Sequence, residues 1–355
     1  MESTVKRDVD LNDTPVVTID LDVMEANIAR MQRICDEAGV ALRPHIKTHK
    51  IPAIAGLQVK AGARGLACQT LGEVLVMQDA GFDDLFLTYN VVGRAKLERL
   101  RAAHARGRLL VACDNERVAR ELSAAMDGVS EPLAVVVECD TGAGRNGTQT
   151  PAETAALAQQ IDALPNLRFA GIMTYPITEK TAEFFTETYR ELDRVRLKAE
   201  VVSTGGTPTI GLLRQVPGVT EHRAGTYIFY DRSCVEKGVA GWDDCAMRIR
   251  ATVVSRPTRD RAIIDAGSKT LTSDTLGLDG YGRIVEYPKA RIYRLNEEHG
   301  YVQLPAGSQG PEVGEVISII PNHTCVVTNL HDELVGVRKG RVETVWRVAA
   351  RGLVR

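Results

Sequence analysis

The sequence predicts an α/β fold: a (β/α)8 barrel followed by a smaller domain of β-strands. Between residue 41 and about residue 230, short apolar runs alternate with amphipathic stretches, a pattern typical of repeated strand–helix units in a parallel sheet. The apolar runs number eight, the count of a closed barrel of this kind. After residue 240 the pattern changes to β-rich segments punctuated by glycine. A chain of 355 residues has room for both domains.

The eight predicted barrel strands are, in order, ALRPHIK (41–47), RGLAC (64–68), DLFLTY (84–89), RLLVACD (108–114), LAVVVECD (133–140), RFAGIMTY (168–175), EVVSTGG (200–206) and TEHRAGTY (220–227). The segments between them, such as GRAKLERLRAAHARG, carry helix-forming residues at roughly the helical period. Several of these segments end in glycine or asparagine, as helices commonly do.

One further strand is predicted before the barrel. VVTID (16–20) precedes a predicted helix over about residues 22–38, and it exceeds the eight strands that such a barrel accommodates. We expect it to pair with the C-terminal region, where EVISIIPN and other β-rich segments lie. The predicted organisation is an N-terminal segment over residues 1–20, a barrel over 21–240 and an all-β domain over 241–355.

The composition is that of an ordinary globular protein. Hydrophobic residues make up 44% of the chain, charged residues 25%, and the formal net charge is -2, which argues against nucleic acid or an anionic membrane as the main partner. No stretch reaches the roughly 18 apolar residues of a membrane-spanning helix, and no apolar run follows the charged N-terminus. The seven cysteines form no CxxC pair, which indicates reduced thiols. We expect a cytoplasmic protein with a small neutral or anionic ligand.

Polar residues follow the predicted barrel strands at their C-terminal ends, where parallel barrels place their functional groups. They are His45 and Lys47, Gln69, Tyr89, Asp114, Asp140 with Arg145, Tyr175, Thr204 with Gly205 and Gly206, and Gly225, Thr226 and Tyr227. A lysine amine forms a Schiff base with an aldehyde, and the backbone N–H groups of glycine turns bind phosphate. The set therefore predicts a site for pyridoxal phosphate.

Each part of this set has a structural alternative. A lone lysine at a strand end is usually solvated, and GG or GT turns often serve backbone conformation or packing alone. Arg145 is equally suited to a surface ion pair. The joint position of these residues on one rim favours the cofactor site over the separate alternatives.

A second feature is PNHTC (321–325) in the C-terminal domain. His323 and Cys325 lie two positions apart, so on an extended segment their side chains would share a face and could share a divalent metal ion. Two protein ligands would leave positions open for water or substrate. The alternative is a turn with a buried cysteine and a hydrogen-bonded histidine. His331 and Asp332 are further candidate ligands nearby.

The motifs RPHIKTHK, CQTLGE, DTGAGRNG, STGGTPT, RAGTY and PNHTC, in that order, resemble the D-threonine aldolase and D-serine dehydratase-like family. This is the metal-dependent branch of the fold type III pyridoxal phosphate enzymes related to alanine racemase. The resemblance covers nearly the whole chain from TPVVTIDLD onwards. It implies a TIM-like, alanine racemase-like barrel that binds the cofactor and a β domain that carries the metal site. It also implies a homodimer whose active sites form between the barrel of one subunit and the β domain of the other.

The resemblance also implies roles for single residues. Lys47 matches the Schiff-base lysine, and the cofactor is further contacted by Gln69, Arg145, Tyr175, Thr204, Gly205 and the phosphate-turn residues Gly225 and Thr226. His323 and Cys325 match the pair that holds a divalent metal ion, with zinc, manganese, magnesium and cobalt not distinguished. Arg223 stands where alanine racemases place an arginine against the pyridine nitrogen, but we do not carry that contact over. The segment MTYPITEK departs from the family, in which histidine or glycine often follows the tyrosine.

The implied activity is that of a lyase acting on D-3-hydroxy amino acids. An aldolase that gives glycine and an aldehyde is the first prediction. The histidine–cysteine pair favours the alternative, a dehydratase of D-serine or D-threo-3-hydroxyaspartate that gives a 2-oxo acid and ammonia. A racemase would need a second acid/base group on the opposite face of the cofactor. A non-catalytic cofactor carrier disagrees with the 115 residues after residue 240. A structural barrel without a cofactor is the remaining alternative.

Overall fold

The structure is a computed structural model that describes residues 4–5 and 9–355. The chain divides into two compact units, each of which is described by itself. The β unit comprises the described residues up to Ala29, Thr48–Ile54 and Thr226–Gly352, and the barrel unit comprises Arg30–Lys47, Ala55–Gly225 and Leu353–Arg355. The predicted N-terminal segment over 1–20 includes residues 1–3 and 6–8, which lie outside the described residues.

The strands are β1 Thr4–Val5, β2 Val16–Asp20, β3 Ala41–Leu42, β4 Leu66–Cys68, β5 Asp84–Leu87, β6 Arg108–Cys113, β7 Leu133–Glu138, β8 Leu167–Met173, β9 Val201–Gly205, β10 Glu221–Arg223, β11 Met247–Thr258, β12 Arg261–Ile264, β13 Arg283–Ile284, β14 Arg291–Leu295, β15 Gly300–Gln303, β16 Val316–Ile320, β17 Glu333–Arg338 and β18 Arg341–Arg347. The α-helices are α1 Leu21–Glu37, α2 Pro52–Lys60, α3 Leu71–Asp79, α4 Arg94–His104, α5 Glu116–Ala125, α6 Pro151–Ala163, α7 Thr181–Arg194, α8 Arg232–Glu236, α9 Ser268–Leu271 and α10 Thr324–Leu330. The 3-10 helices are Ile46–Thr48, Thr207–Gln215, Thr226–Ile228 and Trp242–Asp244. No helix among the described residues is long and apolar enough to cross a membrane.

The barrel unit contains one parallel sheet of eight strands, in the order β3-β10-β9-β8-β7-β6-β5-β4. A parallel bridge between His45 and Ala67 joins the two ends of this order. Its strands are buried almost continuously, because helices cover a parallel sheet on its outer face. One cluster of its core side chains comprises Phe86, Leu110, Ala112, Val136, Ala170, Met173 and Val201. The predicted barrel is therefore confirmed.

The first barrel strand is shorter than predicted, which corrects the position of Lys47. The strand β3 ends at Leu42, and Lys47 lies on the 3-10 helix Ile46–Thr48 instead of at a strand end. Pro44 has no N–H group to donate to a ladder, which favours an early end to regular pairing. The segment still follows its neighbour, since the backbone N–H groups of Arg43 and His45 donate to carbonyls of the β10 segment at 2.9 and 2.8 Å.

A buried ion-pair network lies within the barrel unit. The Arg43 side chain is fully buried, its Nε lies 2.8 Å from Glu221 Oε2 and its Nη1 lies 2.7 Å from Asp84 Oδ1. Burial lowers the pKa of Arg43, but the charges and hydrogen bonds of the two carboxylates outweigh this effect and raise it. The arginine is therefore charged and paired inside the barrel.

The β unit is built on a sheet of ten strands, most of them antiparallel. Its longest path runs β1-β18-β17-β2-β11-β12-β15-β14, and β16 pairs with both β11 and β13. The strand β2, which is VVTID, lies between β11 and β17. The predicted C-terminal β domain is confirmed, and the short helices α9 and α10 lie between its strands.

Candidate active site

A pocket opens in the barrel unit at the C-terminal ends of its strands. The residues that line it come from six strands or from the loops that follow them: His45, Lys47, Gln69, Thr88, Arg145, Met173, Tyr175 and Arg223. Four of these residues were predicted as cofactor contacts from the sequence, namely Lys47, Gln69, Arg145 and Tyr175. The barrel thus brings together side chains that are far apart in the chain.

Lys47 faces an amide and an aromatic ring in this pocket. Its Nζ lies 3.5 Å from Gln69 Oε1 and 5.3 Å from the centre of the Tyr175 ring. Gln69 is itself held in place, because its backbone N–H donates to Glu73 Oε2 at 2.6 Å and its Nε2 lies 3.5 Å from the carbonyl of Thr88. Gln69 is therefore fixed next to the start of α3, and its side-chain oxygen faces the Lys47 amine in the pocket.

Arg145 reaches the pocket from a folded glycine loop. The Asp140 carboxylate accepts hydrogen bonds from the backbone N–H groups of Gly142, Ala143 and Gly144 at 2.8 to 3.1 Å, which closes the loop DTGAGRNG. The Arg145 guanidinium lies 5.0 Å from the centre of the Tyr175 ring. Arg145 is half exposed, lines the pocket and forms an ion pair with a buried acid, so the ion pair and the pocket position occur together.

That acid is Glu138, the last residue of β7. Its Oε1 accepts from Arg145 Nη2 at 3.0 Å and its Oε2 accepts from Asn146 Nδ2 at 2.7 Å. Burial raises the pKa of Glu138, and Arg145 partly offsets that rise. The sequence argument did not select Glu138, although a charged residue at the end of the apolar run LAVVV was a usable signal.

His45 and Arg223 form the buried side of the pocket. His45 Nε2 lies 3.2 Å from Thr88 Oγ1, and burial together with the charges of Lys47 and Arg223 holds the pKa of His45 well below its usual range. Arg223 donates to the carbonyl of Thr174 at 3.0 Å and to the hydroxyl of Ser203. Burial lowers the pKa of Arg223 to about 10, so it stays protonated at neutral pH.

The charges in this pocket suit an anionic ligand. His45 is held neutral, while the guanidinium groups of Arg145 and Arg223 line the pocket and Glu138 pairs with Arg145. The sequence analysis did not carry Arg223 over as a cofactor contact. The arginine that alanine racemases place at the equivalent position was the signal that could have identified it. Arg223 now stands among the lining residues of the pocket.

Gly205, the last residue of β9, packs directly against two pocket residues. A Cβ atom added to Gly205 would lie 3.1 Å from Tyr175 Cδ2 and 3.4 Å from Arg223 Nη2. The N–H group of Ile177, in the divergent segment MTYPITEK, donates to the Gly205 carbonyl at 3.2 Å. Gly205 therefore leaves the space that lets the tyrosine and the arginine approach each other.

The remaining predicted cofactor contacts are placed as follows. Thr204 is buried in β9, where its Oγ1 lies 3.0 Å from His222 Nδ1, and it is not among the lining residues of the pocket. Gly225 follows β10 at the end of the barrel unit, and Thr226 begins a 3-10 helix in the β unit. The assignment of Gly225 and Thr226 to a phosphate turn stays a prediction.

In the β unit, His323 and Cys325 do not lie on an extended segment, which corrects the geometric argument for their shared face. His323 is the N-cap residue of α10, and Cys325 lies in the first turn of that helix. The helix begins there because Asp231 Oδ2 accepts from the backbone N–H of Thr324 at 3.2 Å. Asp231 and Thr324 are 93 positions apart, so the local sequence around PNHTC did not indicate that a helix begins there.

The two side chains nevertheless interact. Burial lowers the pKa of His323, but its hydrogen bonds to Cys325 and Asp274 outweigh this effect and raise the pKa to about 9. His323 Nδ1 lies 2.7 Å from Asp274 Oδ2, and Cys325 Sγ lies 3.2 Å from Thr48 Oγ1. Imidazole and thiolate are both ligands of divalent transition metals.

The further candidate ligands have other partners. His331 Nε2 lies 3.2 Å from the carbonyl of Thr270, and Asp332 Oδ1 lies 2.6 Å from Arg351 Nε. Within the described residues, no group of three or more histidine, cysteine, aspartate or glutamate side chains is arranged to hold a metal ion. The histidine–cysteine pair would therefore bind a metal ion with coordination positions left for other ligands.

Comparison with known proteins gives matches along most of the chain. Residues 19–233 match the family model described as alanine racemase, N-terminal domain, and residues 246–337 match the putative serine dehydratase domain. A D-threonine aldolase of Arthrobacter sp is 36% identical, over 97% of this chain and 94% of the relative. The crystal structure of D-threonine aldolase from Filomicrobium marinum matches with a TM-score of 0.88 and 33% identity, covering 97% of this chain and 98% of that chain.

A third relative has a different activity in its name. The D-threo-3-hydroxyaspartate dehydratase of Delftia sp. (strain HT23) is 30% identical, over 88% of this chain and 91% of the relative. Structures of D-threo-3-hydroxyaspartate dehydratase variants also match, one with a histidine replaced by alanine and one with a cysteine, two positions later, replaced by alanine. The cysteine variant is described as being in the metal-free form.

Proposed function

The chain belongs to the family of D-threonine aldolases and D-serine dehydratase-like proteins with an alanine racemase N-terminal domain, and we propose that it is an aldolase of D-3-hydroxy amino acids. The proposed reaction splits a substrate of the D-threonine type into glycine and an aldehyde. The observation that carries this proposal is the match to D-threonine aldolase at 36% identity over 97% of the chain.

We propose pyridoxal phosphate as the organic cofactor. The chemistry of the pocket lining fits this group, because a lysine amine stands beside an amide, an aromatic ring and two arginines. Lys47 would hold the cofactor aldehyde, with Gln69, Arg145, Tyr175 and Thr204 around the ring. Gly205, Gly225 and Thr226 would hold the phosphate. When bound, the cofactor would supply an electron sink for the bond that breaks at Cα.

We propose that His323 and Cys325 hold a divalent metal ion, which would supply a Lewis acid for the substrate 3-hydroxyl. The helix start at Thr324 fixes the backbone between the two ligands, since Asp231 caps it. Thr48 Oγ1 contacts the Cys325 sulfur itself, and Asp274 Oδ2 contacts His323 Nδ1, which leaves His323 Nε2 for a metal ion. The protein therefore orients both ligands before a metal ion arrives.

The barrel residues have separate tasks in the reaction. Arg145 and Arg223 favour an anionic ligand by their charge, and Tyr175 bounds the pocket between Lys47 and Arg145. His45 is held neutral, so one of its ring nitrogens carries a proton and the other can accept a hydrogen bond. Lys47 Nζ is the amine in this pocket that would accept a proton from Cα in any reaction that removes one.

A dehydratase is the second candidate, and a specific observation favours it. The pair His323–Cys325 has the spacing of the histidine and cysteine that are replaced in the two dehydratase variants. In that reaction Lys47 would remove the Cα proton and the 3-hydroxyl would leave, giving a 2-oxo acid and ammonia. The two candidates use the same site and differ in the bond that breaks.

Product analysis separates the candidates. The purified protein is loaded with pyridoxal phosphate and a divalent metal ion and incubated with D-threonine, and we expect glycine and acetaldehyde in equal amounts. Formation of 2-oxobutanoate and ammonia would instead support the dehydratase, and turnover to neither product pair would reject both. Lys47→Ala should abolish product formation, whereas Lys269→Ala should not, because Lys269 is an exposed lysine paired with Glu298.

We further propose that the protein is a homodimer, as its resemblance to the family implies, and that it is cytoplasmic, as its composition indicates. Light scattering on the eluted protein should give twice the mass of one chain, and the mass of a single chain would contradict the dimer.

A further inference from the structure

We propose that Asp274 is a positioning residue for His323, one that fixes the ring so that Nε2 presents its lone pair to the metal ion. Asp274 lies in the loop after α9, and its Oδ2 is 2.7 Å from His323 Nδ1. The proposal rests on the metal dependence of the proposed function. It adds a third side chain to the His323–Cys325 pair, and this side chain does not touch the metal ion itself.

The tautomer follows from hydrogen-bonding chemistry. An ionised carboxylate only accepts hydrogen bonds, and a neutral imidazole has one donor and one acceptor nitrogen. Metal binding requires a neutral imidazole, so in the metal-bound protein the remaining proton would lie on Nδ1, where Asp274 accepts it, and the lone pair on Nε2. Histidines that bind metal ions commonly donate their other N–H group to a carboxylate in this way, which fixes the ring and raises its basicity.

The loop holds the Asp274 carboxylate in a defined orientation. Its Oδ1 accepts from the backbone N–H of Leu276 at 3.1 Å, and its own N–H donates to Thr272 Oγ1 at 3.2 Å. Thr272 has φ 65° with ψ 156°, and Leu276 has φ 50°. Residues with a side chain rarely adopt positive φ, and such conformations persist where the surrounding structure imposes them.

A second contact fastens the same loop to the metal-binding turn. Asn322, which precedes His323, donates from Nδ2 to the carbonyls of Thr275 and Gly280 at 3.4 and 2.8 Å. The loop is thus tied to the PNHTC segment at two adjacent positions. These contacts therefore hold the loop, and with it Asp274, beside His323.

The nearby carboxylate of Asp231 cannot take over this role. Its Oδ1 accepts from Ser233 Oγ at 2.6 Å and from the Cys234 N–H at 3.1 Å, and its Oδ2 accepts from Thr324. Within the described part of the chain, Asp274 is the one carboxylate within ion-pair distance of His323. Removal of Asp274 should therefore leave the ring without a carboxylate on Nδ1.

Metal affinity tests the inference directly. Protein stripped with a chelator and loaded with pyridoxal phosphate is titrated calorimetrically with Zn²⁺ and separately with Mn²⁺. We expect Asp274→Ala to weaken binding by about 10- to 100-fold and Asp274→Asn to weaken it less, because an outer partner of a metal ligand typically contributes that much. Asp279→Asn is the matched control, since that carboxylate pairs with Arg291 instead of a histidine.

Activity at increasing metal concentration gives the second measurement. Asp274→Ala should recover product formation at high metal concentration, whereas His323→Ala should not, because it lacks the ligand itself. Equal affinity in Asp274→Ala and the unchanged protein would overturn the positioning role alone. Absence of metal binding in the unchanged protein would overturn the metal dependence and this inference together. If Asp274→Ala fails to fold, the near-isosteric Asp274→Asn decides, with the thermal midpoint as its folding control.

Discussion

Gly205→Ala should lower the free energy of unfolding and weaken cofactor binding. The added Cβ would lie 3.1 Å from Tyr175 Cδ2, 3.2 Å from the Arg223 carbonyl and 3.4 Å from Arg223 Nη2, so the pocket residues must shift by a few tenths of an ångström. Overpacking costs about 1–3 kcal/mol, and the mild overlap here points to the lower end. If the shift of Tyr175 and Arg223 costs a further loss of about 1 kcal/mol in cofactor-binding free energy, binding weakens about fivefold.

The assay is an absorbance titration of the cofactor-free protein with pyridoxal phosphate. Gly211→Ala is the matched control, because an added Cβ at Gly211 meets nothing within 4 Å and the residue lies on the 3-10 helix that follows Gly205. We expect the control to bind as the unchanged protein does. Equal cofactor affinity in Gly205→Ala and Gly211→Ala would refute the claim that Gly205 shapes the cofactor pocket.

The other predictions concern the support of the two sites. Arg43→Ala would leave the buried Glu221 carboxylate without its arginine partner, whereas Asp84 would keep Arg108, and this should cost about 3–5 kcal/mol of unfolding free energy in urea denaturation; a loss below about 1 kcal/mol would contradict the buried network. Asp231→Ala removes the caps of α8 and α10 and should cost about 1–2 kcal/mol by the same method, whereas an unchanged midpoint would show that the caps do not matter. Treatment with a chelator should stop product formation from D-threonine, and added divalent metal ion should restore it. Full activity after exhaustive chelation would exclude a metal-dependent reaction.

Much of the fold follows from local pattern. The apolar runs LAVVVE and RLLVAC are buried strands because a parallel sheet is covered on its outer face, so they carry no polar alternation. Thr70 and Thr150 mark helix starts with side-chain hydrogen bonds to the backbone N–H three residues later, a signal that is visible in the sequence. Lys47, Gln69, Arg145 and Tyr175 were selected because parallel barrels place functional groups at the C-terminal ends of their strands, and all four line one pocket.

What the sequence did not reveal depends on distant partners. The PNHTC segment starts a helix because of Asp231, 93 positions earlier, and Arg43 lies deep in the barrel because Glu221 pairs with it from 178 positions away. Asp274 gave no local signal either, since its contact with His323 spans 49 positions. The end of the first strand could have been predicted more closely, because Pro44 cannot donate to a ladder.

The central claim is that the barrel pocket holds pyridoxal phosphate on Lys47. Borohydride reduction of the loaded protein makes the link between the cofactor and its lysine permanent, and peptide mass mapping then locates it. The account predicts the label on the peptide that contains Lys47 and its loss in Lys47→Ala. A label on another lysine, or no label in a protein that turns over D-threonine, would contradict the account.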